Sequence, residues 1–340
     1  MRDFSRRAIL STGGMLAAVA AGLYPRIPAA QSPRFFRIAT GPTESAYFAI
    51  GSLIGNVVSS PPGARECNRG GNCGVPGLIA VTQTTAGSLA NVELIGRRQV
   101  ESGLCQADIA HWAFHGSGPY RRQGPVSNLR TIASLYPEVM HLVVRRDSSI
   151  KDLRRLRGRV VSLGEPESGT LATARAVLQA AGVAEREFKP LFLKPAQATN
   201  ALRDAVIDAF FEMAGTPSST IAELAEKTPI DLVPIDDAVR MRLRSANPYF
   251  GDDLIPADTY HQIGDVRSVS VGVLWICGSE VDDKIVDGLT RALFHPNNRK
   301  TLDTGHPFGA RIRPESALEG TALQLHPGAA LYYAEAGLIR

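Results

Sequence analysis

Beyond its first 30 residues the sequence has no run of the ~18 to 20 uncharged apolar residues that a membrane-spanning helix requires, which excludes an integral membrane body. It also lacks a real charge excess. Of the formal +4, four arginines less Asp3 place +3 within residues 1–30, so the remainder carries +1, and the electrostatic case for a nucleic-acid partner disappears with that segment. Signature motifs of catalysis are missing as well. There is no Gly-x-Ser-x-Gly elbow, and Gly41-Pro42-Thr43 matches neither a dinucleotide fingerprint nor a phosphate-binding loop with Lys. His111 and His115 stand four apart without the adjacent Glu of a zinc protease. Glu44, Glu138, Glu165 and Glu212 are far apart in sequence, and nothing local pairs any two as acid and base. No enzyme, cofactor or metal is expected.

What remains is an ordinary globular composition, 44% hydrophobic and 21% charged, which rules out fibrous and largely disordered chains. At about 150 residues per domain, 340 residues make two. Residues 1–30 have the grammar of an export signal: basic Arg2, Arg6 and Arg7, an uncharged run from Ala8 to Leu23, then Pro28-Ala29-Ala30. Ser5-Arg6-Arg7-Ala8-Ile9-Leu10 resembles the twin-arginine motif, with an uncleaved anchor as the competing reading. The expected compartment is therefore periplasmic and oxidising. Cys67 and Cys73 enclose a polar, glycine-rich turn that can bring their sulfurs together, and a disulfide is expected. A metal site is the alternative there, and it finds no further ligands nearby in sequence. Cys105 and Cys277 lie in apolar contexts typical of free, buried thiols.

From Phe35 onward, short apolar runs alternate with helical periodicity, the pattern of an α/β chain with a largely parallel sheet. The expected order is a strand at 35–40, a helix at 47–59, a strand at 78–82, a helix at 88–102, a strand at 103–106 and a helix at 108–115. Two extended segments, 129–135 and 141–145, flank Tyr136-Pro137-Glu138. A second unit repeats the grammar with strands at 159–163, 189–193, 209–212 and 231–234 and helices at 170–181, 197–205 and 220–227. Val266 to Cys277 is the longest strand candidate, long enough to pass between domains, and 282–294 with 316–338 are read as helices. Three small-residue turns precede helices: Thr40 to Tyr47, Thr84 to Ser88 and Glu167 to Thr170. Turns of this kind serve helix entry whatever they bind, but three of them split across two units favour an anion such as a carboxylate.

These turns carry a resemblance. Arg37-Ile38-Ala39-Thr40-Gly41 through Tyr47-Phe48-Ala49-Ile50-Gly51, Gly87-Ser88-Leu89-Ala90-Asn91, Gln106-Ala107-Asp108, Ala133 to Glu138, Gly158 to Ser162, Ser168-Gly169-Thr170 and Ile207 to Phe211 resemble the TAXI family. That family comprises solute receptors of TRAP transporters. The resemblance covers most of the chain and implies a two-lobed α/β periplasmic-binding-protein fold, type II-like, with the ligand in a cleft between lobes. It implies lobe 1 at 31–138 plus 272–340 and lobe 2 at 139–271, joined by crossing strands near 133–145 and 266–277. The implied receptor is a monomer. It closes on a small carboxylate or amino acid such as glutamate and delivers it to a TRAP permease with fused membrane subunits. The alternative is a sensor presenting its solute to a membrane receptor kinase. Carried over position by position, the ligand bed is Thr40, Gly41, Thr43, Tyr47, Ser88, Asn91, Gln106, Asp108, Tyr136, Ser168, Gly169 and Thr170, with Phe211 closing from the second lobe. Pro42, Glu44 and Ala46 depart from the family's first turn, and Glu212 stands where an apolar residue is common. A carboxylate at Glu44 or Glu212 either holds an amino group, repels a dicarboxylate, or points to solvent.

Overall fold

The computed structural model describes residues 32–262 and 264–339, so the expected export segment lies outside the described residues. No helix among the described residues is long and apolar enough to cross a membrane. In chain order the elements begin with β1 (Arg34–Ala39), α1 (Ala46–Val58), β2 (Ser59–Ser60), β3 (Val75–Pro76), β4 (Leu78–Gln83), α2 (Ser88–Gly96), β5 (Ser102–Gln106), α3 (Ala107–His115) and β6 (Leu129–Arg145). There follow β7 (Val160–Ser162), α4 (Gly169–Ala181), β8 (Lys189–Leu191), α5 (Pro195–Arg203), β9 (Ala209–Ala214), α6 (Ser219–Ala225), β10 (Ile230–Leu232), α7 (Asp237–Ala246) and β11 (Gly251–Ile255). The chain ends with β12 (Val266–Gly278), α8 (Asp283–Leu293), α9 (Arg299–Gly305) and α10 (Pro327–Glu335).

Ten strands form one mixed sheet in the order β4-β1-β5-β12-β6-β9-β7-β8, with β10 paired to β6 and β11 to β12. The β4-β1-β5 ladder is parallel, as is β8-β7-β9, while β12 and β6 run antiparallel to their neighbours. Four apolar clusters cover this sheet, two on each face. In what we call the β1 half, α1, α8 and α10 pack Ile50, Ile54, Leu289 and Tyr333 against one face. Val92, Ile95 and Ile109 of α2 and α3 cover the other. In the β7 half, α4 and α7 bring Val177, Leu178 and Leu243 to one face. Leu202 and Ile221 of α5 and α6 cover the opposite one.

The long strands β6 and β12 belong to both halves. Along β12, Val273, Trp275 and Cys277 alternate with Leu274 and Ile276 between the two β1-half clusters, while Val269 and Val271 enter the β7 half. Period-2 alternation with both faces apolar is what a strand covered on both sides requires. Along β6 the change falls between Tyr136 and Val139. There Pro137, which has no N–H to donate, stands opposite Gly272, and the β6–β12 register shifts between Val273 and Leu274.

Several sequence expectations are corrected here. Tyr136-Pro137-Glu138 does not separate two segments: β6 is one strand of 17 residues, because proline is tolerated where the ladder is already irregular. The helix expected at 88–102 stops at Gly96, where Arg98 takes a left-handed φ of 57° and Gln99 N–H bonds back to the Leu94 carbonyl. Of the helix expected at 316–338 only Pro327–Glu335 forms, since Gly320 turns at φ 61° and Pro327 opens a new helix. The helices α7 and α9 and strand β11 lie in stretches given no element by the sequence. Cys67 and Cys73 form a disulfide with a Cα–Cα distance of 4.7 Å, and Cys105 and Cys277 are free and buried.

Candidate functional site

A cavity of about 440 Å³ opens where strands of both halves end. Its wall is built from the carboxyl ends of β1, β4, β5, β7, β8 and β9 and the turns after them, the position at which α/β sheets receive ligands, together with Glu138 from the middle of β6. The N-termini of α1, α2, α4 and α6 converge there through Ser45, Ala46, Gly87, Ser88, Ser168, Gly169, Ser218 and Ser219. A parallel strand followed by a helix places that helix N-terminus at the strand's end, and oriented N–H groups give the rim partial positive charge.

Of the residues carried over by resemblance, Gly41, Thr43, Tyr47, Ser88, Gln106, Ser168, Gly169, Thr170 and Phe211 line the cavity. Four are placed behind its wall. Thr40 donates its hydroxyl to the Gln83 carbonyl (2.9 Å). Asn91 ties the turns together, its Nδ2 donating to the carbonyls of Thr40 (2.6 Å) and Leu104 (2.7 Å). Asp108 accepts from the Thr173 hydroxyl of α4 (2.9 Å), a fully buried bond between the halves. Tyr136 is buried under Phe308, stacked at 4.9 Å, and Phe308 forms the wall in its place. In each case the polar group is consumed by the scaffold, or its ring is covered.

The halves touch around the cavity. Ala90 N–H donates to the Glu167 carbonyl (3.2 Å). A Cβ built on Gly169 would overlap the Gln106 amide, and one on Gly215 would overlap the Phe308 ring. At Gly215 the Phe308 ring leaves no room for a side chain, whereas at Gly169 the end of the Gln106 side chain would have to move aside.

Sequence reasoning left the acidic side of the site unassembled. Glu44, Glu138, Glu165 and Glu212 all line this one cavity, and among the described residues no Lys or Arg does. Burial pushes the Glu138 carboxyl well above the usual range, and Asp108 and Glu212 push the same way. Burial also raises Glu212, against the Thr220 and Ser218 hydroxyls, which donate to it at 2.8 and 2.9 Å. Glu165 is raised by burial, partly offset by Lys194. A relay behind Glu212 fixes its donors. Ser218 N–H donates to the Tyr260 hydroxyl (2.6 Å), which lies 3.0 Å from His141 Nε2, while His141 Nδ1 lies 2.9 Å from the Val139 carbonyl. Burial depresses His141 to about 4, so the ring is neutral: Nδ1–H donates to Val139 and Nε2 accepts from Tyr260. The loop His306-Pro307-Phe308 was also missed; it enters the wall from far along the chain. Leu193, Ala198, Phe211, Met213 and Phe308 make the rest of the wall apolar.

The one group of possible metal ligands among the described residues is Cys67, Cys73 and His295, and the two sulfurs are bonded to each other. His111 and His115 lie side by side on α3, rings 4.5 Å apart, away from the cavity.

The model of the NMT1-like family matches residues 38–337, nearly all of the described chain. The chain belongs to the NMT1-like family. Among solved structures, this NMT1-like protein is similar to a Xanthomonas citri protein bound to ATP, at 12% identity and TM-score 0.52 over 90% of this chain and 99% of that one. It is similar to a Bordetella bronchiseptica protein at 13% identity and TM-score 0.51, over 88% and 82%. A more distant likeness is to the periplasmic aliphatic sulphonate binding protein SsuA of Escherichia coli, at 14% identity and TM-score 0.45, over 91% and 95%. At these identities the first two likenesses show the fold alone, a mixed α/β architecture with helices on both sides of the sheet.

Proposed function

We propose that this NMT1-like protein is an extracytoplasmic, periplasmic solute receptor of a transport system and performs no catalysis. The observation that carries the reading is the cavity itself: about 440 Å³, within the range of small-molecule sites, walled by strand ends and helix N-termini from two cores that share β6 and β12. A receptor whose solute lies between two lobes works by closing on it, and the closed form alone then docks on the membrane component. In this reading the lobes are 31–138 with 272–340, and 139–271. The motif resemblance from Arg37 to Phe211 favours a TRAP permease of the TAXI type as that component, with a small organic acid or amino acid, glutamate among them, as cargo. Gly41, Thr43, Tyr47, Ser88, Gln106 and Ser168 to Thr170 form the ligand bed, with Phe211 closing it.

Two measurements test this. Protein unfolded and refolded to strip any carried ligand is melted against a panel of amino acids and small carboxylates; a true ligand at a hundredfold over Kd adds about 2.7 kcal/mol and raises the midpoint. Binding to the reconstituted permease must then depend on that ligand. Equal permease binding by ligand-free and ligand-loaded protein overturns the transport reading.

A further inference from the structure

The cavity lining combines an unpaired amide with acidic side chains. Gln106 there is only 1% exposed, and its Nε2 finds no partner while its Oε1 accepts from the Ser88 hydroxyl at 3.4 Å. Turning the amide over merely exchanges which of its two polar atoms is left unpaired. Beside it are the first residues of α2, a helix without a side-chain cap. A buried amide with an unused hydrogen-bonding atom is costly unless a ligand completes it. The same cavity carries the four glutamates, two of which, Glu138 and Glu212, are 4% and 7% exposed.

We propose that the acidic lining is an ammonium subsite: Glu138 and Glu212, flanked by Glu44 and Glu165, hold the protonated amine of the solute, so the receptor selects a zwitterionic or cationic solute and refuses one of net negative charge. The inference rests on the solute-receptor reading and narrows its substrate class.

The physical case is one of charge balance. Two carboxylates of a dianion, buried here, would meet four carboxyl groups with only Lys194, beside Glu165, to offset them, an arrangement that desolvation makes unfavourable. An ammonium offers three donors to acceptors that are already in place. The Ser218 and Thr220 hydroxyls donate to Glu212 from one side and leave its remaining acceptor capacity toward the cavity. In the empty receptor the buried carboxyls are held toward their protonated forms. A bound ammonium replaces those protons, so binding releases them. The groups that set this exchange are Asp108, Glu212 and Tyr47 around Glu138, Glu44 and the two hydroxyls around Glu212, Lys194 and Glu44 around Glu165, and His306 across the cavity.

The experiment is isothermal titration of the refolded full chain in two buffers of different ionisation enthalpy at pH 6.5 and 7.5. The probes are glutamine against glutamate and putrescine against succinate, followed by the remaining amino acids. The amine-bearing neutral or cationic member of a pair binds at least tenfold tighter than its acid, releases protons, and tightens as pH rises. Glu138→Gln or Glu212→Gln then weakens it at least tenfold and reduces the proton release. The wild-type proton count needs no variant, so a substitution that fails to fold leaves the test intact. Tighter binding of succinate or glutamate, with proton uptake, overturns the subsite but leaves a solute receptor standing. Silence across the whole set overturns both.

Discussion

The β1 half and the β7 half present their helix N-termini to the cavity in different ways. In the β7 half the protein caps its own helices: the Ser168 hydroxyl accepts from Leu171 N–H at 3.1 Å, and the Ser218 hydroxyl accepts from Ile221 N–H at 3.5 Å. In the β1 half it does not. Ser45 stands at the N-cap of α1 but turns its hydroxyl to the Pro42 carbonyl (2.7 Å), and Gly87 at the N-cap of α2 has no side chain to offer. The difference teaches where each pole of a ligand belongs. Apart from Ala90 N–H, which the Glu167 carbonyl takes, the first N–H groups of α1 and α2 leave a site for an acceptor in the β1 half, which also carries Glu44, and the β7 half supplies self-capped helices plus Glu165 and Glu212.

The sharpest way to break the comparison is to hold the halves apart. Gly169→Val drives a side chain into the Gln106 amide, an overpacking that costs about 1–3 kcal/mol, and affinity for any ligand found by melting falls about a hundredfold. Retained affinity in calorimetry would show that the halves need not meet. Next come two opposed titrations. Burial raises Asp108 of the β1 half to about 6 from 3.8, so its contribution to stability is intact below pH 4 and is lost as pH rises through about 6. The loss is about 3 kcal/mol, and Asp108→Asn gains that amount over wild type between pH 4 and 7. His141 of the β7 half, depressed to about 4 from 6.5, contributes stability above pH 6.5 that is lost as pH falls toward 4, again by about 3 kcal/mol. Relative to wild type, His141→Gln therefore improves on acidification while Asp108→Asn worsens, and urea midpoints at each pH read the two slopes.

A smaller effect separates stability from binding. Replacing Cys67 and Cys73 by serine removes a crosslink between residues six apart and lowers stability by about 2 kcal/mol with affinity unchanged, since the bridge lies away from the cavity. The smallest test addresses the caps themselves. Ser168→Ala costs about 1 kcal/mol in the thermal midpoint, whereas Ser45→Ala, which removes no cap, costs only a few tenths.

What the sequence made legible follows the same division. Strand-to-helix turns such as Thr40–Tyr47 and Ser168–Thr170 are local: their small residues, hydroxyls and following periodicity sit within a dozen positions, and the cavity uses them. Cys67 and Cys73 were readable for the same reason. Glu138 and Glu212 were visible as residues but not as lining one cavity, because that depends on β6 lying beside β9, with His141 opposite Glu212, in a register that no local pattern states. Asn91 and Asp108 matched a motif yet serve the scaffold, tying Thr40 to Leu104 and α3 to α4. Phe308 reaches the wall from a loop with no periodicity, and its stacking over Tyr136 moved the expected aromatic wall by one ring. The elements that escaped, α7, α9 and β11, bury few apolar residues, so their periodic signal is thin.

Pro137 opposite Gly272, beside a shifted register, gives the shared strands a soft spot. The β6–β12 register shifts again between Trp275 and Ile276, so the irregular stretch of the shared strands extends over more than one rung. Glu138 is the next residue along, with its carboxyl in the cavity. A buried carboxyl of the cavity therefore sits next to the irregular stretch of the strands that both cores share.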